Sequence, residues 1–254
     1  MSLDDVEPVL QVHDAEVRFG GVRALGGVSL SVRPGEVCGL VGPNGSGKST
    51  LINVISGFVA PTAGRVELAG RDITDLPPEA IARMDIRRTF QRPRFNEMTT
   101  SLENIVAAIK YSSAWKTDRP EGSFFQRRRA EEKAAMEALD LVGAAEFCAW
   151  RASALSHGSR RKVEFARAVV GRPRVLLLDE PTSGVSQAHA DLMRDQIFQQ
   201  RDLGVAVVLV DHDLNFVEGT CSRVVVMDAG RAIFEGAPEE AFADPRVVEA
   251  YVGV

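Results

Sequence analysis

Nine consecutive residues constrain this chain more than any other feature: Gly42, Pro43, Asn44, Gly45, Ser46, Gly47, Lys48, Ser49 and Thr50. They fit the pattern Gly-x4-Gly-Lys-Ser/Thr and lie between an apolar run, Val37 to Val41, and a segment, Leu51 to Phe58, with helical character. In a strand–loop–helix setting the glycines let the backbone wrap closely around a phosphate. N–H groups at the start of the helix add partial positive charge. The spacing puts Lys48 at the β- and γ-phosphates of a nucleotide and the Ser49 hydroxyl on Mg²⁺. A purely structural glycine-rich turn is the bland alternative, and the flanking strand and helix argue against it.

A second acidic feature matches the first. Val175 to Leu178 is apolar throughout and runs into Asp179 and Glu180. Carboxylates at the end of a buried strand are costly unless they have partners or work to do. Asp179 is placed to hold Mg²⁺, and Glu180 to orient or deprotonate an attacking water. A solvated strand end is the alternative for this pair taken alone.

The rest of the chain has the pattern of an α/β protein. Ala15, Val17 and Phe19 alternate with polar residues, as do Val28, Leu30 and Val32, and Val66 and Leu68. Val175 to Leu178 and Val205 to Val210 are continuous apolar runs, as expected of parallel strands covered on both faces. A helix, Gln187 to Arg201, separates them. Pro77 to Arg172 reads as mostly helical, most clearly at Gln126 to Ala145, with a polar loop at Tyr111 to Ser123. Two strands, Val224 to Met227 and Ala232 to Phe234, and a helix at about Glu239 to Tyr251 close the chain. The expected fold is a mostly parallel α/β core with an antiparallel β subdomain near the N-terminus and an inserted α-helical subdomain.

Composition narrows the function. A formal net charge of −5 argues against a general nucleic-acid binder. No apolar run approaches the roughly 20 residues that span a bilayer, and Met1 to Pro8 lacks the basic and apolar regions of a secretory signal. The chain is therefore expected to stay in the cytosol and to reach a membrane only through partners. Cys38, Cys148 and Cys221 are scattered, without metal or redox spacing, and read as small hydrophobes.

Five motifs in order then resemble a known family. Leu155-Ser-His-Gly-Ser159, just upstream of Asp179 and Glu180, looks like the signature motif of ABC ATPases, Gln91 like their Q-loop glutamine and His212 like their switch histidine. Phe19 lies where that family places an aromatic that stacks on adenine. Alone, Gln91 reads as a surface amide, His212 as an exposed histidine and Phe19 as core. The resemblance implies a P-loop NTPase core in one ATPase domain over 1–254, with a helical subdomain inserted at about 92–170. It implies ATP and Mg²⁺ as ligands, with Glu180, His212 and Gln91 catalytic. Ser49, Gln91 and Asp179 would hold the metal, and Ser156 and Gly158 would face the nucleotide of a second ATPase subunit, homologous or identical.

A narrower resemblance, carried by Arg18-Phe-Gly-Gly21, Arg88-Thr-Phe-Gln91 and Ala250-Tyr-Val-Gly253 among others, is to the larger-type ATPase subunit of branched-chain amino acid importers. It implies two transmembrane permease subunits, a substrate-binding protein on the far side, and a peripheral place on the cytoplasmic face of the inner or plasma membrane. Importers of urea or short amides and exporters of lipopolysaccharide or lipid are related alternatives. Ser159 stands where the signature usually has Gln, and Ser186 where the loop after Thr182 usually has Asp or Asn. These departures keep open a poorly hydrolysing regulatory module. Arg83, Arg87, Arg88, Arg92 and Arg94 crowd around Gln91, either as a solvated helical face or as a contact surface for the membrane partner.

Overall fold

The computed structural model describes residues 6–112, 115 and 122–252, so most of the loop expected at Tyr111 to Ser123 lies outside the described residues. Two sheets organise it. The first is antiparallel, in the order β2-β1-β4-β5, with β1 Leu10–Phe19, β2 Val22–Val32, β4 Ala63–Leu68 and β5 Arg71–Asp72. The second has the order β10-β9-β3-β8-β7-β6, with β3 Val37–Val41, β6 Ile86–Arg88, β7 Val175–Asp179, β8 Ala206–Val210, β9 Arg223–Asp228 and β10 Arg231–Gly236. Its strands pair in parallel except at β9–β10.

The apolar runs are continuous because each central strand feeds two cores. Successive side chains point to opposite faces of a sheet. From β3, Cys38 and Leu40 meet helix α1, Lys48–Ile55, and the antiparallel sheet. Val37 and Val41 from the same strand join Leu176, Leu178, Val207 and Leu209 on the other face, against later helices. All residues of β3, β7 and β8 are buried. Of the three cysteines expected to be buried, Cys38 and Cys221 are, whereas Cys148 is only partly so; all are free, and burial pushes the Cys38 thiol up to about 12.

The helices correct several sequence boundaries. Helix α2, Pro78–Ala82, is short, and β6 follows it, so the stretch from Pro77 to Arg172 is not helical throughout. Helix α3, Ser101–Ile109, is opened by a capping box between Thr100 and Glu103. Helix α4 runs Phe124–Leu141 because Ser123 and Gln126 form its capping box, and it stops before Gly143, which adopts φ 58°. Helix α5, His157–Val169, and α6, Gln187–Asp202, follow, then α7, Leu214–Glu218. The expected single C-terminal helix is two, α8 Pro238–Ala243 and α9 Pro245–Val252. Pro245 has no N–H to continue the first, and Asp244 leaves the helical region before it. Among the described residues no helix is long and apolar enough to cross a membrane.

One ionic cluster ties the two sheets together. Arg223 of β9 donates to Glu36 at 2.8 Å, to the Ser31 carbonyl of β2 and to Glu235 of β10. The Glu36 side chain is 5% exposed. Removing one member of a buried pair strands the other, at a cost of about 3–5 kcal/mol. Arg223→Met therefore destabilises the chain by about 3 kcal/mol, read as a lower urea midpoint; an unchanged midpoint would contradict this role for Arg223.

Candidate functional site

Four site segments leave the carboxyl ends of neighbouring parallel strands, where open α/β sheets bind ligands. The 42–47 loop follows β3, Asp211 and His212 follow β8, Glu180 follows β7, and Gln91 comes three residues after β6.

Backbone holds the loop from two sides. Gly230 N–H donates to the Ser46 carbonyl at 3.0 Å, and Gly26 N–H to the Gly230 carbonyl at 2.7 Å. A Cβ at Gly42 would lie 2.0 Å from the Met227 carbonyl oxygen, and one at Gly47 would lie 2.8 Å from that of Ala24. Toward solvent the loop is open: a Cβ at Gly45 would meet nothing within 4 Å. The N–H groups of Lys48, Ser49 and Thr50 begin α1, and no side chain caps that end.

Lys48 folds back over this cradle. Its Nζ donates to the carbonyls of Gly42 at 2.7 Å and Pro43 at 2.9 Å, and to Ser46 Oγ at 3.3 Å. Partial burial lowers its pKa, opposed by the charges of Glu180 and Asp179. An ammonium held by neutral carbonyls beside uncapped N–H groups fits an anion. Glu180 adopts φ 49°, its N–H donates to the Val210 carbonyl at 2.7 Å, and its Oε2 accepts from Gln91 Nε2 at 2.9 Å. The structure thus joins two of the three residues expected to be catalytic. Gln91 donates its amide nitrogen there, and the amide oxygen, the Asp179 carboxylate and the exposed Ser49 hydroxyl are hard oxygen donors of the kind Mg²⁺ takes.

The remaining expected residues stand apart. His212 is 68% exposed at its side chain, with Nδ1 3.6 Å from Asp211. Asp211 itself accepts from the N–H and hydroxyl of Thr182 and from the N–H groups of His212 and Asp213, so it fixes both loops. Phe19 ends β1 with 53% exposure, free to receive a flat ring. Ser156 caps α5, accepting from Ser159 N–H at 3.2 Å, and its hydroxyl meets that of Ser159 at 2.9 Å. A Cβ at Gly158 would face open space. Among the described residues no hydrogen bond joins Ser156 or Gly158 to the 42–50 loop. Ser186 begins α6, its hydroxyl 2.8 Å from His189 Nδ1.

Two residues beside Gln91, Glu164 and Arg167, escaped sequence reasoning, and a third, Arg88, was read without its partner. Glu164, on the helix after the signature, accepts from Phe90 N–H at 2.9 Å, and Arg167 reaches the Arg94 carbonyl. Arg88 pairs with Asp179 at 2.9 Å. The arginine cluster divides: Arg87 and Arg88 lie on β6 and are largely buried, while Arg83, Arg92 and Arg94 are exposed, the Arg94 guanidinium 5.4 Å from the Phe90 ring centroid. The only sequence signal was charge within a short strand between apolar residues.

A strand edge carrying a phosphate-sized cradle, a lysine and two carboxylates defines a nucleotide-binding protein of the phosphate-loop kind. The chain belongs to the ABC transporter family, whose model matches residues 25–183. It is 36% identical over 254 residues to the high-affinity branched-chain amino acid transport ATP-binding protein BraF of Pseudomonas aeruginosa, covering 97% of this chain and 98% of that one. It is also 36% identical over 259 residues to LivG of Escherichia coli, a protein of the same description, with the same coverage. Among solved structures it resembles the ADP conformation of an ATP-binding cassette of an ABC transporter, with TM-score 0.80, 32% identity and 97% and 99% of the two chains covered. A dimeric post-hydrolysis cassette bound to ADP and Pi matches with TM-score 0.78 and 25% identity over 90% of this chain and 98% of that one. This chain is thus an ATP-hydrolysing subunit of a transporter, in a family whose cassettes work as dimers with transmembrane permeases.

Glu164 gives the site a pH signature. Burial raises its pKa from 4.5 to about 7, against the Phe90 N–H bond and Arg167. The native state keeps this proton while the unfolded chain has lost it, so the contribution falls as pH rises from about 4.5 to 7 and is constant above. Glu164→Gln keeps an acceptor for Phe90 N–H and removes the titration. Wild type loses on the order of 3 kcal/mol more than this variant between pH 4.5 and 7.5, read from urea midpoints across pH; parallel curves would contradict it.

Proposed function

We propose that this chain is the ATPase motor of a branched-chain amino acid importer, bound at the cytoplasmic face of the membrane through two permease subunits. The observation that carries this reading is end-to-end similarity to BraF and LivG, with coverage of 97% or more on both sides. Supporting the reading of 92–170 as a helical insertion, β6 and β7 are register neighbours, Arg88 opposite Leu177, so the chain between them leaves the sheet and returns beside its exit.

The residues divide the work. Lys48 swings from its carbonyls onto the β- and γ-phosphates, joined by N–H groups of Asn44, Gly45 and residues 47–50. Phe19 stacks on adenine, worth about 1–3 kcal/mol. Glu180 accepts the proton of the attacking water or orients it, with Gln91 fixing its carboxylate and His212 approaching the γ-phosphate from β8. Ser49, Gln91 and Asp179 would hold Mg²⁺, which when bound neutralises charge on the phosphates. Among the described residues Ser156 and Gly158 make no hydrogen bond to their own chain's loop, which supports their completing the nucleotide site of a second subunit.

The permease surface in this reading is the groove beside β6. Its wall includes Phe58, Ile81, Phe90, Ala108 and Tyr111, with Arg87 and Arg167 at its polar side. An apolar trough with cationic edges suits an amphipathic cytoplasmic helix.

Reconstitution with the permeases in vesicles tests the reading. A leucine-loaded binding protein should stimulate ATP hydrolysis, and Lys48→Ala should remove both binding and turnover. Glu180→Gln should lower turnover about 10²–10⁴-fold with nucleotide affinity nearly unchanged. Stimulation by urea or a short amide and not by leucine would overturn the substrate assignment, and parental turnover in Lys48→Ala would overturn the site.

A further inference from the structure

Arg88 engages three polar partners near the site, and the reaction as described gives it no part. It sits on the edge strand β6, with 9% of its side chain exposed. Its Nη2 donates to Asp179 Oδ2 at 2.9 Å, and its Nη1 donates to Asn53 Oδ1 at 2.7 Å and Ser56 Oγ at 3.1 Å. Asn53 lies on α1, the helix that starts at Lys48, and Ser56 directly follows it. The guanidinium carbon is 4.9 Å from the Phe90 ring centroid and 5.8 Å from that of Phe58, two rings of the groove wall. One planar fork therefore touches the phosphate-loop helix, the acidic strand end and the groove.

Only arginine fills this place. Its donors point in fixed directions, two forks apart, and its face stacks on aromatics; a lysine would supply a single mobile charge. A buried ion pair adds little net stability compared with apolar packing of the same volume. What the pair does fix is direction. Asp179 Oδ2 is taken by Arg88, so the carboxylate cannot rotate without breaking the pair, and the Asp179 N–H, donating to Thr89 Oγ1 at 3.2 Å, ties the main chain beneath it. No hydrogen bond among the described residues occupies Oδ1.

We propose that Arg88 is a positioning residue for Asp179, holding one carboxylate oxygen so that the other faces the cation of the bound nucleotide, and joining that carboxylate to the groove wall through Phe90. This rests on the reading of Asp179 as a cation ligand. Partners that orient a metal-binding carboxylate typically change metal affinity by about 10–100-fold when lost.

The test uses the full chain loaded with ADP and titrated with Mn²⁺, followed by electron paramagnetic resonance. Arg88→Met should raise the Mn²⁺ concentration for half occupancy about tenfold, while ADP affinity in EDTA stays within about twofold. Asn53→Ala, which removes only the anchor on α1, should shift Mn²⁺ in the same direction by a smaller factor, and it stands in if Arg88→Met fails to fold. Asp179→Asn should also weaken Mn²⁺, and the double variant Arg88→Met with Asp179→Asn should be no weaker than Asp179→Asn alone. If Asp179→Asn weakens Mn²⁺ but Arg88→Met and Asn53→Ala do not, Arg88 is not positioning it. Additive losses in the double variant would assign Arg88 a merely structural role. If Asp179→Asn leaves Mn²⁺ binding unchanged, the cation-ligand reading fails and this proposal with it.

Discussion

The site depends on a close approach of three backbones. The 42–47 loop is pressed between β2, at Ala24 to Gly26, and the turn from β9 to β10, at Met227 to Gly230. Carbonyl oxygens of Met227 and Ala24 occupy the places where Cβ atoms of residues 42 and 47 would be, so glycine alone fits there. The contact also links the antiparallel sheet to the parallel one, because the Gly230 that supports Ser46 is in turn held by Gly26. A loop so supported offers its N–H groups in fixed directions before any ligand arrives. That preorganisation is what makes electrostatic recognition of phosphate effective.

Charge placement follows from the same scaffold. Parallel strands deliver their carboxyl ends to one edge, and with them Asp179, Glu180 and Asp211. Three carboxylates converging on a partly buried edge repel one another unless each has a partner. Arg88 answers Asp179, Gln91 answers Glu180, and four donors from Thr182, His212 and Asp213 answer Asp211. Glu164 is the exception. It sits beside Arg167 yet burial outweighs that partner, and it ties the signature helix to the segment that carries Gln91. The signature helix and the segment that carries Gln91 are therefore mechanically joined within one chain.

What was legible in the sequence was local. The glycine spacing, the lysine, and the acidic end of an apolar strand each declare themselves within a few residues, and their order named the family. What was hidden depends on distant pairing. Strand β6 is three residues long and two of them are arginine; its strand character comes from β7, nearly ninety residues later. Arg88 looked like one of a basic cluster because its partner, Asp179, is 91 positions away. Ser159 and Ser186 looked like losses against the family pattern. The structure gives each hydroxyl a partner in its own chain, Ser156 and His189. The break at Pro245 and the cap at Ser123 were local signals that the helical pattern outweighed.

The central claim is that each nucleotide is held by the phosphate loop of one chain and the signature residues of another. Mixing two inactive variants tests it most directly. Lys48→Ala spoils the loop and Ser156→Arg spoils the signature, so each variant alone has two damaged composite sites. A mixed pair has one site with both defects and one with neither. Equimolar mixing should restore ATP retention on gel filtration and measurable hydrolysis that neither variant shows alone. A mixture as inactive as its components would contradict the account and place the whole site within one chain.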